Sequence, residues 1–560
     1  MAVTSIPNQI DSLASEILME FERVEKDRGN WEGYWEDVAR VVMPSHATSF
    51  YSRGMVTPGV RKDFEQYDSS PNSALFKFAA AMESMLTPAS SKWHNLRPEN
   101  ATLRNDRQAA LWFEEVNNLL FYYRYAPHAA FQANQHQCYL NLGVFGTACL
   151  YVEPYRDMVR PEVRGLRYIN VPIGEVFFDV NAQGQVDKVW RRFYLTGRQI
   201  IQKFGEDALP PTYALKIKAD PDDKLCIIHS VRPNPLRQFG KSDIANMPYQ
   251  SFYVLREAQH ILSTGGYRVM PYSVPRYTTA PGEKYGRSPA MEALPDIKVL
   301  NAEKRTVLEQ GQYAVDPVLL ANDDGVLSLD DRAPGAHIYG GVNAEGREMV
   351  SAMPVGNVQL GMEMMQDSKM SINDHFLVSL FQLLDTTPGM TATEVLERVR
   401  QKGALLSPTA GRYQSEGLGP MIERELDILF WEGLLPPPPP QLMGAAYVVE
   451  YDAPLNRAMR SGTAASVIRD IQQAIEIAGQ TQNPAMLDRY NWDAVGALLS
   501  DINGVPPSCI NSDDVIAAMR QNRQQQQQQQ SIAENLPGMA AMLKAAAPKG
   551  ISPTGGQPGA

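Results

Sequence analysis

The residues best equipped for chemistry in this 560-residue chain are few, and their spacing works against them. "PLRQFGKS" (235–242) ends like a phosphate-binding loop, but Pro235 stands where GxxxxGK[ST] needs its first glycine. A calcium loop turning at Gly325 would need an acid at Leu320, and one built on Asp179, Asn181 and Gly184 would need an acid at Trp190. Both stretches read better as hairpin turns. His128 and His136 are eight residues apart, two helical turns, a poor spacing for a zinc pair, and neither HExxH nor GxSxG occurs. Cys138, Cys149, Cys226 and Cys509 form no CxxC pair, so reduced thiols are expected. Cys149 lies among apolar strand residues with no neighbouring base to lower its pKa, as a buried structural thiol would. The acidic residues of 316–356 read as solvated loop carboxylates. No catalytic residue, metal ligand or cofactor is predicted.

Hydrophobic residues make up 44% and charged residues 21%, ordinary for a globular protein, and the length predicts two to four domains. No run of eighteen apolar residues appears, so no membrane span is predicted. The N-terminus lacks a basic region followed by an apolar block; Ile10, Leu13, Ile17, Phe21 and Val24 instead mark an amphipathic helix, not a signal peptide. The formal net charge is −11. Sequence-specific DNA binding carries a basic footprint, so any contact with nucleic acid here should be local, weak or slippery.

The elements follow from periodicity and punctuation. Helices are predicted over 8–28, over 31–43 up to Pro44, through "SALFKFAAAMESMLTP" up to Pro88, and over 101–126 and 128–143. Strands are predicted in 145–155, 166–172, 175–196 and 225–233, with a turn at 181–184. A short helix, 196–205, runs from a Thr196 cap to Gly205, and 251–277 returns to strands. The fold class is α+β, mainly helical.

From residue 288 the order is unusual. In "KYGRSPAMEALPDIKVLN" (284–301), Ser288 suits an N-cap and Pro289 the first helical position, and Pro295 is predicted to kink the helix almost at once. The helix continues through 314, with Ile297, Leu300, Val307, Leu308, Gly311 and Ala314 near one side. A β-rich insert (316–356) leads to a second helix over 357–384. At 1.5 Å per residue the two helices would span about 39 Å and about 42 Å. Such a stalk is marginal alone, and ring packing would cover it. Beyond a loop at 385–391, a broken helix to Trp431, a five-proline spacer (436–440), a strand at 446–451 and helices over 459–520 are predicted, then a low-complexity tail with Gln524–Gln530.

Six stretches carry a resemblance: "WEDVARVVMPSHATSF" (35–50), "QYDSSPNSALFKFAAAMESMLTPASSKWHNLRP" (66–98), "LGVFGTACLYVEP" (142–154), "VPIGEVFFDVNAQGQVDKVWRRFYLTGRQIIQKFG" (171–205), "YGRSPAMEALPDIKVLN" (285–301) and "EYDAPLNRAMRSG" (450–462). Together they resemble the phage portal proteins, the head-to-tail connectors of short-tailed (podovirus-type) phages, over about 15–460. The resemblance implies a portal-type fold of wing, stem, clip and crown, assembled as a dodecameric ring at one capsid vertex with a central channel for double-stranded DNA. It implies a wing over 1–287, a first stem helix over 288–315 and a clip over 316–356. It implies a second stem helix over 357–384, a tunnel loop over 385–391, a wing helix and return strand over 392–458, a crown over 459–520 and a tail or barrel over 521–560. Implied partners are further copies of the chain, non-specific duplex DNA, the terminase large subunit, major capsid and scaffolding proteins, and tail adaptor proteins, with no membrane. Assembly would take place in the host cytoplasm and the product would reside in the virion.

Within that frame, Lys298, Lys304, Arg305 and Lys369 are the candidate channel cations; the alternative for each is a solvent-facing or inter-subunit ion pair. The tunnel-loop candidates are Asp385, Thr386, Thr387, Pro388, Gly389 and Met390, and the stem start and kink are Ser288, Pro289 and Pro295. Alternative functions are another ring-forming tail or baseplate protein and, further off, a nucleotide-processing enzyme.

Overall fold

The computed structural model describes residues 7–47, 59, 66–104, 106–157, 159–238, 240–241, 243–321, 342, 345–354, 356–378, 406–481, 484–502, 505, 507–511 and 514–527. The chain forms a large unit (1–96, 116–437 and 449–487) and a small one (97–115, 438–448 and 488–560).

The chain opens with helices α1 (Pro7–Asp27), α2 (Gly29–Val42) and α3 (Ser70–Leu86), then a strand β1 (His94–Pro98) and helices α4 (Ala101–Arg104), α5 (Arg107–Arg124) and α6 (Phe131–Phe145). The expected helix over 101–126 is split because the Asp106 carboxylate accepts from the amides of Gln108 and Ala109 and starts α5 afresh. Strand β1 was not legible in the sequence.

Two antiparallel sheets follow. Strands β2 (Leu150–Arg156), β3 (Arg164–Asn170) and β9 (Tyr272–Ser273) form one, in the order β3-β2-β9. Strands β4 (Val176–Val180), β5 (Val186–Thr196), β6 (Lys224–Pro233), β7 (Tyr249–Leu255) and β8 (His260–Tyr267) form a five-stranded meander. Successive strand residues face opposite ways, and β6 shows the consequence. Ile228 joins the core beneath α1, with Ile17, Phe21, Val24, Phe177, Trp190 and Val254. Ile227 joins the core on the other face, beneath helices α7 (Gly197–Phe204) and α8 (Pro211–Ala219), with Ile200, Ile217 and Leu255. Thr196 caps α7 in a reciprocal box with Gln199, as the sequence suggests. Helix α8 was not anticipated. Ion pairs flank the apolar face of α1: Glu16 with Arg232, Glu20 with Lys188, and Glu25 with Arg192 and Arg256.

Buried arginines tie the layers together. Arg28 donates to the carbonyls of Ile173, Gly174 and Val176 and lies 3.5 Å above the Phe177 ring. Arg124 is fully buried, forks onto both oxygens of Glu425 and donates to His94 Nε2 at 2.8 Å. Tyr168 donates to the same carboxylate at 2.5 Å. Burial and the neighbouring guanidinium hold His94 well below its usual pKa, so the imidazole stays neutral and accepts through Nε2. Cys138, Cys149 and Cys226 are buried and Cys509 is exposed; burial pushes Cys149 up to about 12. No described helix is long and apolar enough to cross a membrane.

Glu425→Ala would leave Arg124 buried without its counter-charge. A loss of about 3–5 kcal/mol in unfolding free energy is expected, read by urea denaturation.

Candidate functional site

The helix–insert–helix segment forms an antiparallel pair. Helices α9 (Pro289–Glu292), α10 (Leu294–Val315) and α11 (Val358–His375) lie on either side of a two-stranded ribbon of β10 (Leu319–Ala321) and β11 (Val350–Ala352). At 1.5 Å per residue, α10 and α11 are about 33 Å and about 27 Å long, both shorter than the sequence predicts.

Two expectations are corrected. Pro295 does not kink a running helix. The first turn ends at Glu292, Ala293 breaks the pattern, and Pro295 sits in the first turn of α10, where its missing N–H costs nothing. The second helix is not continuous over 357–384: α11 ends at His375, Leu377 takes φ 58°, Val378 is helical again, and 379–384 lie outside the described residues. Phe376, at the break, is fully buried against Phe78.

The root of the pair is a backbone crossing. Gly146, at φ 70°, closes α6, and a Cβ there would lie 2.4 Å from the Gly286 carbonyl oxygen. A Cβ on Gly286 would lie 2.1 Å from the Gly146 oxygen. The Gly286 amide donates to the Thr147 hydroxyl at 2.9 Å, and the Tyr277 amide to the Gly146 carbonyl at 2.8 Å. Ser288 caps α9: its hydroxyl accepts from the Met291 amide at 3.0 Å and donates to the Val144 carbonyl at 2.7 Å. Tyr285 packs edge-on against Trp35 and Phe178 beneath this crossing.

The seam between α10 and α11 is mostly polar. Ser371 donates to Asp296 at 2.5 Å and Ser368 to Glu303 at 3.1 Å. His375 Nε2 lies 3.6 Å from Asp296. Gly361 lets Val307 approach so closely that a Cβ would meet it at 2.7 Å, and Gln310 accepts from the Gly356 amide at 3.2 Å. Burial is confined to the half nearer the root: Leu294, Ile297 and Leu300 on α10, and Ile372 and, at mid-height, Met365 on α11. The apolar side predicted through Leu308 is therefore only half used, since Leu308 remains exposed together with Val299, Tyr313, Val315, Leu360, Met362, Met364 and Met370.

The basic residues sort by position. Lys369 lies one turn from both Met365 and Ile372, on the covered side, and pairs with Asp68 at 3.0 Å. Lys304 lies one turn from Leu300 on that same side and has no acidic partner among the described residues. Lys298 pairs with Asp37 at 3.4 Å and Arg305 with Glu309 at 2.9 Å. The side opposite the covered one carries Val299, Ala302, Thr306 and Tyr313 from α10 and Leu360, Met364 and Asp367 from α11, with no lysine or arginine. Helical spacing alone gives these faces, but the sequence does not say which face is covered. Residues 322–341, the tunnel-loop candidates Asp385, Thr386, Thr387, Pro388, Gly389 and Met390, and the tail beyond 527 lie outside the described residues.

The other candidates stay apart. His128 stacks on Tyr155 and His136 bonds to Glu83. Asn181 accepts from the Gln183 and Gln185 amides in a hairpin turn. Among the described residues no acid, histidine and cysteine cluster suits a metal.

The site so defined is an antiparallel helical pair rooted in an α+β body. The chain belongs to the family described as bacteriophage head to tail connecting protein, whose model matches residues 14–510. It is 28% identical over 519 residues, 90% of each chain, to the probable portal protein of Bordetella phage BPP-1. It is 25% identical over the same length and shares to the portal protein of Salmonella phage epsilon15.

Two outcomes test the root and its surroundings. Gly286→Ala is expected to lower the thermal midpoint by several degrees, because two backbones must separate. Gly311→Ala, with open space around it, is expected to leave the midpoint unchanged or raise it by the equivalent of about 0.5–1 kcal/mol. Asp68 has its own pH signature. Burial pushes its carboxyl up, but the Ser70 hydrogen bonds and Lys369 outweigh that and hold it below its usual 3.8. Its contribution is therefore present above that unfolded value and lost as pH falls through the lower folded one. With Lys369 partly exposed, the effect should be below about 1 kcal/mol, and Asp68→Asn should abolish it in pH-dependent unfolding curves.

Proposed function

We propose that this chain is the subunit of a phage portal, a ring at one capsid vertex through which double-stranded DNA is packaged and ejected. The observation that carries the proposal is the helical pair: firmly rooted, buried only in the half nearer its root, and bearing large exposed apolar side chains along its length. Copies packed side by side in a head-to-tail ring would cover those side chains. The family and the named relatives supply the setting.

On this reading α10 and α11 are the stem, 316–356 the clip, 385–391 the tunnel loop, 1–287 with 392–458 the wing, 459–520 the crown, and 521–560 a tail or barrel. The ring is a dodecamer. The terminase large subunit docks during packaging and supplies the hydrolysis, and tail adaptor proteins replace it later. Major capsid and scaffolding proteins surround the ring, which assembles in the host cytoplasm and remains in the virion. The chain itself carries out no catalytic step. The stem wall that DNA passes is the side carrying Val299, Ala302, Thr306, Tyr313, Leu360, Met364 and Asp367. A wall without cations releases few counterions and grips phosphate weakly, as sliding requires.

Twelve copies of a 62.3 kDa chain come to about 750 kDa. Negative-stain images of purified protein should show closed rings with a central hole at that mass. A compact monomer with the pair sealed inside its own fold would overturn the reading.

A further inference from the structure

We propose that Arg305 on α10 and the acidic pair Glu363 and Asp367 on α11 form a contact between neighbouring copies of this chain, the α10 edge of one pair against the α11 edge of the next. The proposal rests on the ring reading and adds which charges join adjacent staves.

Position is the first argument. Arg305 lies two residues from both Glu303 and Val307, which face α11, so it points about 160–200° away from the seam. Glu363 lies two residues beyond Gly361, which faces α10, and points away from the seam on the other edge. Asp367, one turn on, lies where that edge meets the side opposite the covered one. The two edges thus differ in sign. The α10 edge carries Lys298, Arg305 and Gln312, with Glu309 beside them. The α11 edge carries Gln359, Glu363, Gln366 and Met370, flanked by Asp367 and Asp374.

Height is the second. The seam sets Glu303 level with Ser368 and Val307 level with Gly361, so Arg305 stands level with a point between Glu363 and Asp367. Rotation about an axis running along the pair preserves height. The α10 edge of one copy therefore meets the α11 edge of the next with the guanidinium opposite the two carboxylates.

Capacity is the third. Within one chain Arg305 uses only Nε, which donates to Glu309 at 2.9 Å, and the side chain is 63% exposed. Its terminal nitrogens keep their donors, and a planar fork can serve two carboxylates at once. Asp367 has no partner among the described residues, and Glu363 accepts only from Gln359 at 3.3 Å. Lys298, two turns below Arg305 on the same edge, is held by its own Asp37 and is not assigned to this contact.

Charge reversal tests the contact. Arg305→Glu alone, and Glu363→Lys with Asp367→Lys, should each lose the ring at about 0.15 M salt, where the screening length is about 8 Å, as read by native mass spectrometry. All three changes together should restore it. Arg305→Gln should lower the salt concentration at which rings dissociate, and thermal unfolding of each unassembled variant should match that of wild-type chain dissociated by salt and measured in the same buffer, separating assembly from folding. Variants that assemble like the wild type, or a combined variant no better than the worse single reversal, would overturn the contact while leaving the ring. A wild type that forms no ring would overturn the ring reading, and this contact with it.

Discussion

The aim of the helical pair depends on two backbones lying in contact where side chains would forbid it. Gly146 ends α6 and Gly286 precedes α9, and each carbonyl occupies the space a Cβ on the other would need. Thr147, Tyr277 and Ser288 then fasten the crossing with hydrogen bonds to α6 and the approach from β9. A rod is only as well directed as its root. A tilt error of about 5° there would move the tip of α10 by about 3 Å, enough to spoil side-chain packing between neighbours. A backbone crossing serves well at such a point, because it has no rotamers to vary.

The second organising force is the way cations are used. The chain is acidic overall, and its most buried arginines are spent on internal work. Arg28 gathers three carbonyls, Arg124 holds Glu425, and Arg276 spans Glu416 and the carbonyls of Lys284 and Gly184. On the helical pair, Lys298, Arg305 and Lys369 each have an acidic partner within the chain. What remains exposed there includes many large apolar side chains, and the exposed Lys298 and Arg305 already have acidic partners within the chain.

Much of the fold was legible because local signals and packing agree. The period of α1 and the N-cap at Ser288 are each set within a few residues. The failures have a common cause. The apolar run after His375 reads as one continuous helix, but Phe376 turns into the core against Phe78 and Leu377 breaks the helix there. Pro295 marks the interruption correctly, but the break falls at Ala293 and starts a new first turn rather than bending one helix. Strand β1 and helix α8 carry weak patterns, and their existence depends on partners distant in sequence.

The sequence by itself determined the element types, the order helix–insert–helix, and the absence of recognisable catalytic motifs, because periodicity, caps and ligand spacing are local properties. Only the tertiary structure decided that Gly146 meets Gly286 and that Lys304 and Lys369 lie on the covered side of the pair. It also decided that Arg305 and Glu363 mark opposite edges at one height. Those facts depend on which faces meet, and a helix with several plausible faces does not say which one it will bury.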